Sequence, residues 1–108
     1  MTIQEFSEQV TKSVYKSEQI DPFTIMMIIT LITNIVTVLQ QCQTEDQIVK
    51  KAKKPSRLDR IIIRRIVNQH LIKSKIKSEK KLILNSVLHT AKTTPENDIR
   101  TLYQENNK

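Results

Sequence analysis

The most apolar stretch of this chain is residues 23–39, FTIMMIITLITNIVTVL, which contains no charged residue. Asp21 followed by Pro22 is the pattern of a helix N-cap with proline at the first helical position, so a helix is expected to begin here. We predict that it extends over about residues 22–43. Its polar side chains recur at helical spacing, which predicts one weakly polar stripe on an otherwise apolar surface. The stripe consists of Thr30, Thr33, Asn34 and Thr37.

Most of the surface of this apolar helix must be covered. The predicted contact face lies opposite the polar stripe and consists of Ile25, Ile28, Ile29, Ile32, Ile35, Val36 and Leu39. The seventeen uncharged residues rise roughly 25 Å along a helix, against about 30 Å for the hydrocarbon core of a bilayer. The sequence therefore leaves three environments open: a short membrane span, a homo-oligomeric bundle, and burial against the second half of the same chain.

Helix start signals divide the rest of the chain. Thr2 with Glu5 forms a capping-box pattern at the start of an amphipathic helix within residues 1–20, ending near residue 17. Similar signals recur at Thr44 with Gln47, at Ser56 with Asp59, and at Thr94 followed by Pro95 and Glu96. Between the last two signals, apolar spacing predicts one helix to about residue 71 and another over about residues 74–91. Short apolar runs at residues 61–63 and 82–84 would also suit strands, but length and capping favour helices.

The composition also favours an all-α fold. Glycine is absent, so tight hairpins and Schellman helix ends lack their usual residue, and Gly-rich phosphate-binding loops are excluded. Four aromatic residues among 108 provide few large core side chains, so we expect an oligomer to supply further burial. We predict one all-α domain over residues 1–108 with four to six helices. It comprises an amphipathic helix in residues 1–20, the apolar helix at about 22–43 and a basic helical region over 44–108.

Positive charge is concentrated after the apolar helix. Residues 1–40 contain two lysines and four acidic residues, whereas residues 41–108 contain sixteen Lys and Arg against seven acidic residues, so the net charge changes from −2 to +9. Arg57, Arg60 and Arg64 recur at i, i+3 and i+7, which places them in one row opposite the apolar side of their helix. The predicted contacts to a polyanion are Lys50, Lys51, Lys53, Lys54, Arg57, Arg60 and Arg64.

Three interpretations of this charge remain open. Nucleic acid attracts such clusters through counterion release, and an anionic membrane surface attracts them as well. The third interpretation is a solvated, lysine-rich surface that gives only solubility and non-specific association. Basic and aromatic residues do not alternate as they do on base-stacking surfaces, so sequence-specific recognition of nucleic acid is not expected.

The sequence predicts no catalytic or metal-binding site. His70 and His89 lie nineteen residues apart with no carboxylate at ligand spacing, and each adjoins apolar helical residues, so we expect structural histidines. Cys42 is the only cysteine, which excludes an intrachain disulfide and a cysteine-based zinc site. We therefore expect a non-enzymatic protein with no cofactor and no small-molecule substrate.

Three segments give the chain a layout that resembles small proteins encoded among the virion genes of tailed bacteriophages. They are, in order, IDPFTIMMIITLITNIVTVLQQC, KKAKKPSRLDRIIIRRIVNQHL and TTPENDIRTLYQENN. The resemblance implies a virion component present in several copies, near packaged DNA or delivered with it, and it implies no catalytic residues.

The expected function is therefore that of a virion structural or DNA-delivery component. We expect it to assemble through its apolar helix with copies of itself or with other virion proteins. Two alternatives stay open. One is a small single-span, holin-like or pore-forming membrane protein with a basic cytoplasmic domain. The other is a soluble accessory protein that binds nucleic acid non-specifically.

Overall fold

The computed structural model describes residues 1–15, 21–41, 43–71 and 79–106, and every regular element in these ranges is helical. The six α-helices are α1 (Ile3–Tyr15), α2 (Pro22–Leu39), α3 (Glu45–Lys53), α4 (Arg57–His70), α5 (Lys80–Thr93) and α6 (Glu96–Asn106). The predicted all-α class is confirmed. Residues 61–63 and 82–84, which would also have suited strands, lie inside α4 and α5.

Side-chain caps fix where several of the helices begin. The amide of Glu5 donates to Oγ1 of Thr2 at 3.0 Å, and the amide of Thr2 donates to the Glu5 carboxylate at 3.2 Å. The same reciprocal pair forms between Thr44 and Gln47 ahead of α3, and a third forms ahead of α4. Each box satisfies two main-chain donors that a helix start would otherwise leave without a partner. The predicted starts of α1, α3 and α4 are thereby confirmed.

Some helix ends differ from the sequence-based prediction. The apolar helix α2 ends at Leu39 and not near residue 43, because the chain turns at residues 40–41 and Thr44 is already extended as the N-cap of α3. At its far end, α5 continues to Thr93, beyond the predicted end at residue 91. The predicted start near residue 74 and the predicted end near residue 17 lie outside the described residues.

The apolar helix α2 is the central helix of the core. It packs on α1, α4 and α6, and Ile28 and Leu31 near its middle are each 0% exposed. All six helices contribute side chains to one cluster of buried apolar residues. The main packing partners of α5 are α1, α3 and α4, whereas those of α6 are α1, α2 and α3. The α4–α5 pair therefore has an outer surface that α6 does not cover.

One side of α2 remains in contact with solvent. Phe23 is 75% exposed and Met26 is 67% exposed, and Thr30 and Thr37 are exposed further along the same side. The hydroxyls of Thr30 and Thr37 donate to the main-chain carbonyls of Met26 and Thr33 at 2.9 and 2.8 Å. This part of the predicted polar stripe therefore faces solvent beside two large apolar side chains, with its hydroxyls satisfied by the helix itself.

Candidate nucleic-acid interface

The outer side of α4 presents a row of exposed cations. Arg57, Arg60, Arg64 and Arg65 are all exposed, and none forms an ion pair with another described residue. The opposite side of the helix, which includes Ile63, is buried in the core. Amphipathic periodicity thus points the guanidinium groups outward, where they are available to a partner.

Asp59 is the only acidic residue of α4, and the fold turns it inward. It is 3% exposed, it accepts the amide of Ser56 at 3.0 Å, and it forms an ion pair with the ammonium of Lys51 at 3.6 Å. Burial alone would raise the pKa of Asp59, but the hydrogen bonds from Ser56 and the charge of Lys51 outweigh it and lower that pKa. Burial raises the pKa of Tyr103 to about 12, and the charge of Asp59 is the second, smaller cause of this increase. The negative charge of Asp59 therefore lies beneath the arginines and already has a partner.

A second set of cations lies beside this row, on α5. That helix contains Lys80, Lys81 and Lys92 and no acidic residue. A groove between the two helices is lined by Arg64, Val67, Asn68, Lys80, Lys81, Leu84 and Asn85. Together α4 and α5 contain seven Lys and Arg against the single acid Asp59. The groove is therefore a strongly electropositive part of the molecule.

The two helices run antiparallel, so their cations form two neighbouring rows. Lys53, which ends α3 just before α4, donates to the carbonyl of Lys92 at 3.1 Å and also to the carbonyl of Thr94. The start of α4 therefore lies beside the end of α5, while the groove brings Arg64 close to Lys81. We call this region the α4–α5 surface. It consists of Arg57, Arg60, Arg64, Arg65, Lys80, Lys81 and Lys92.

The structure leaves five of the seven predicted polyanion contacts exposed. These are Lys50, Lys54, Arg57, Arg60 and Arg64. The other two are partly buried and have partners within the chain, because Lys51 pairs with Asp59 and Lys53 binds the carbonyls at the end of α5. A cation beside a helix C-terminus is drawn to its unpaired carbonyls, which explains the position of Lys53. The prediction omitted Arg65 and the α5 lysines, although the lack of any acid in residues 80–93 was a visible signal.

The predicted oligomer or membrane face of α2 is largely occupied by the chain itself. Ile28, Ile32, Ile35 and Val36 are buried in the core of this fold. The remaining members, Ile25, Ile29 and Leu39, are partly buried. The exposed side with Phe23 and Met26 is thus the part of α2 that a neighbouring subunit or a lipid can reach without unfolding the chain. Burial follows from the contacts of α2 with α1, α4 and α6, which periodicity alone does not reveal.

The rest of the polar stripe and His70 have local structural partners. The hydroxyl of Thr33 donates to the carbonyl of Ile29 at 2.8 Å, and the side-chain amide of Asn34 contacts Nε2 of His70. His89 is exposed on α5. Within the described ranges, no group of three or more His, Cys, Asp or Glu side chains is arranged to hold a metal ion. The single cysteine, at position 42, lies outside those ranges.

Length and composition would also allow α2 to cross a membrane. Pro22–Leu39 has 18 residues and a mean hydropathy of 2.1. A core helix can have the same properties, and the complete burial of Ile28 and Leu31 is what a core helix shows. A scan against protein-family models and searches of curated proteins and of solved structures found no match.

Proposed function

We propose that this protein is a non-enzymatic component that binds the phosphate backbone of nucleic acid without reading base sequence. The observation that supports this function is the α4–α5 surface, where two adjacent helices carry seven Lys and Arg and their single acid, Asp59, is buried. A protein that neutralises phosphates releases condensed counterions, which favours binding without any base contact. Arginine suits this role because its planar guanidinium can bind phosphate oxygens with two parallel hydrogen bonds.

Within this proposal, the protein acts as a structural or DNA-delivery part of a virion. Its sequence layout resembles that of small proteins encoded among tailed-phage virion genes, and packaged or translocating DNA would meet its cationic surface. Its partners would be DNA and copies of itself or other virion proteins. A virion subunit needs a second surface for protein contacts, and the outer side of α2 with Phe23 and Met26 offers an uncharged one.

The salt dependence of DNA binding tests the cationic surface. In the triple variant Arg57→Ala, Arg60→Ala, Arg64→Ala, we expect the slope of log K against log salt concentration to fall by about 2.7, since each phosphate contact contributes about 0.9. Fluorescence anisotropy with a labelled mixed-sequence duplex measures this slope. All three side chains are exposed on a helix, so alanine should preserve the fold, which circular dichroism checks.

The matched control for this experiment is a cation outside the surface. Lys12 is exposed on α1, and Lys12→Ala should leave the slope within error, whereas Arg64→Ala alone should lower it by about 0.9. An unchanged slope in the folded triple variant would rule out the proposed surface. Equal effects of Lys12→Ala and Arg64→Ala would indicate diffuse attraction by net charge in place of a defined interface.

A second candidate function is suggested by α2, which is long and apolar enough to span a bilayer. In that case the protein would be a small single-span, holin-like factor. The lysines and arginines that follow α2 would place its C-terminal half in the cytoplasm. Spanning would require Ile28 and Leu31 to leave the core, which makes this candidate weaker than the first.

Solution behaviour separates these possibilities. We expect the wild-type protein to remain soluble without detergent and to form a multimer through the outer side of α2. Replacing Phe23 and Met26 by lysine should then yield a folded monomer of 12.6 kDa, because like charges would face each other across the contact. Light scattering gives both masses. A wild-type monomer at micromolar concentration contradicts assembly through this side, and solubility only in detergent favours the membrane candidate.

A further inference from the structure

We infer that the nucleic acid held by the α4–α5 surface is double-stranded, with the α4 row on the phosphates of one strand and the α5 row on those of the other. This inference rests on the proposed function and names its ligand class. Three features of the fold support it: the scarcity of stacking side chains, the paired geometry of the rows, and the match of charge density.

The surface offers no phenyl, phenol or indole ring on which an unpaired base can stack. Phe6 and Tyr103 are buried in the core, and Tyr15 is partly buried on α1. The exposed Phe23 lies on α2 and does not line the groove between α4 and α5. Single-strand binding proteins combine a basic groove with aromatic stacking platforms. On the α4–α5 surface, a single strand would find only the exposed imidazole of His89 and the planes of the arginines for stacking.

The two rows have a fixed separation because α4 and α5 pack directly against each other. Val67 of α4 and Leu84 of α5 both line the groove between them, and packed helix axes lie about 8–10 Å apart. Along α4, Arg57 and Arg64 are separated by a rise of about 10.5 Å. Along α5, Lys81 and Lys92 lie on one side with a rise of about 16.5 Å between them. Two parallel lines of phosphates on a rigid duplex match two parallel lines of cations.

The density of phosphates along the nucleic acid also favours the duplex. A duplex presents one phosphate per about 1.7 Å of axis, so the length of the α4 row faces about six phosphates, roughly half of them on each strand. A single strand offers phosphates to one row at a time and must be held against its own flexibility to reach the second. A rigid duplex can therefore neutralise both rows together without this cost.

Matched double variants test this assignment. The α4 pair Arg57→Ala, Arg64→Ala and the α5 pair Lys81→Ala, Lys92→Ala each remove two exposed cations from one row. Binding is measured over a range of salt concentrations with a 30-base-pair duplex and with one of its single strands. The wild type should bind the duplex at least about tenfold more tightly. The α5 pair should lower the duplex slope by about 1.8 and leave the single-strand slope unchanged.

The α4 pair should lower both slopes, by about 1.8 for the duplex and about 1.4 for the single strand. Equal or tighter binding of the single strand by the wild type would overturn the duplex assignment while leaving phosphate binding intact. A proportional fall of both slopes in the α5 pair would overturn that assignment as well. Absence of binding to either probe at low salt would overturn the proposed function and the duplex assignment together.

Discussion

Replacing Ile28 or Leu31 by alanine is expected to lower the free energy of unfolding by about 2–5 kcal/mol. Both side chains are 0% exposed near the middle of α2, so truncation leaves a cavity that the surrounding helices fill only in part. Natural domains are stable by about 5–15 kcal/mol, so the double variant should be largely unfolded at room temperature. Urea denaturation followed by circular dichroism measures the change.

Leu58→Ala is the control at an exposed position. Leu58 is 64% exposed on α4, so its truncation should change the free energy of unfolding by no more than about 0.5 kcal/mol. Equal, small effects of Ile28→Ala and Leu58→Ala would mean that the middle of α2 is not packed as described. Such a result would favour the membrane candidate, in which those side chains would face lipid.

Removing the charge of Asp59 should also be costly. Asp59→Asn is expected to lower the free energy of unfolding by about 2–3 kcal/mol, since a buried carboxylate that caps α4 and pairs with Lys51 loses both charged interactions. The control is Asp46→Asn. Asp46 forms an ion pair with Arg100 at 2.7 Å, but its side chain is 84% exposed. Exposed pairs contribute at most about 1 kcal/mol.

The same carboxylate gives stability a dependence on acid pH. The pKa of Asp59 is lower in the folded state than its ordinary value of 3.8, so its contribution is complete above that value. This contribution is lost as the pH falls below 3.8 towards the folded-state pKa. The difference in stability between wild type and Asp59→Asn should therefore shrink between neutral pH and pH of about 2. A constant difference over that range would show that the effect of the substitution does not come from the ionised carboxylate.

The sequence was most informative where a short local signal determines the structure. Capping boxes at Thr2 and Thr44 set the starts of α1 and α3 because their partners lie three residues away and form independently of the rest of the fold. The end of α2 was predicted near residue 43, whereas the helix ends at Leu39. The Thr44 cap already limits α2 to the residues before 44, whereas the turn at residues 40–41 contains no Gly, Pro or Asn that would mark it in the sequence.

Packing partners were the main feature that the sequence left open. Periodicity identified an apolar face containing Ile28 and Ile32, but the same face suits a core, an oligomer or lipid. Because α2 is apolar almost all round, the sequence also failed to separate these buried residues from the exposed Phe23 and Met26. Only the positions of α1, α4 and α6 decide which side of the helix is covered.

The candidate interface was predicted in part for a similar reason. The spacing of Arg57, Arg60 and Arg64 placed them in one exposed row, as the structure shows. The capture of Lys51 and Lys53 depends on contacts with Asp59 and with the end of α5. The lysines of α5 form a second row beside these arginines only because α4 and α5 lie side by side and antiparallel, which is a long-range property of the fold.

The unequal distribution of charge among the helices gives the molecule an electric dipole moment. Helix α6 has a net charge of −2 and α1 of −1, whereas α4 and α5 each have +3. In the field of a polyanion this dipole produces a torque that turns the α4–α5 pair forward during approach. The screening length falls from about 30 Å at 0.01 M salt to about 8 Å at 0.15 M. The molecule is 36 Å long, so at physiological salt the torque acts only over the last part of the approach, when the two surfaces have almost met.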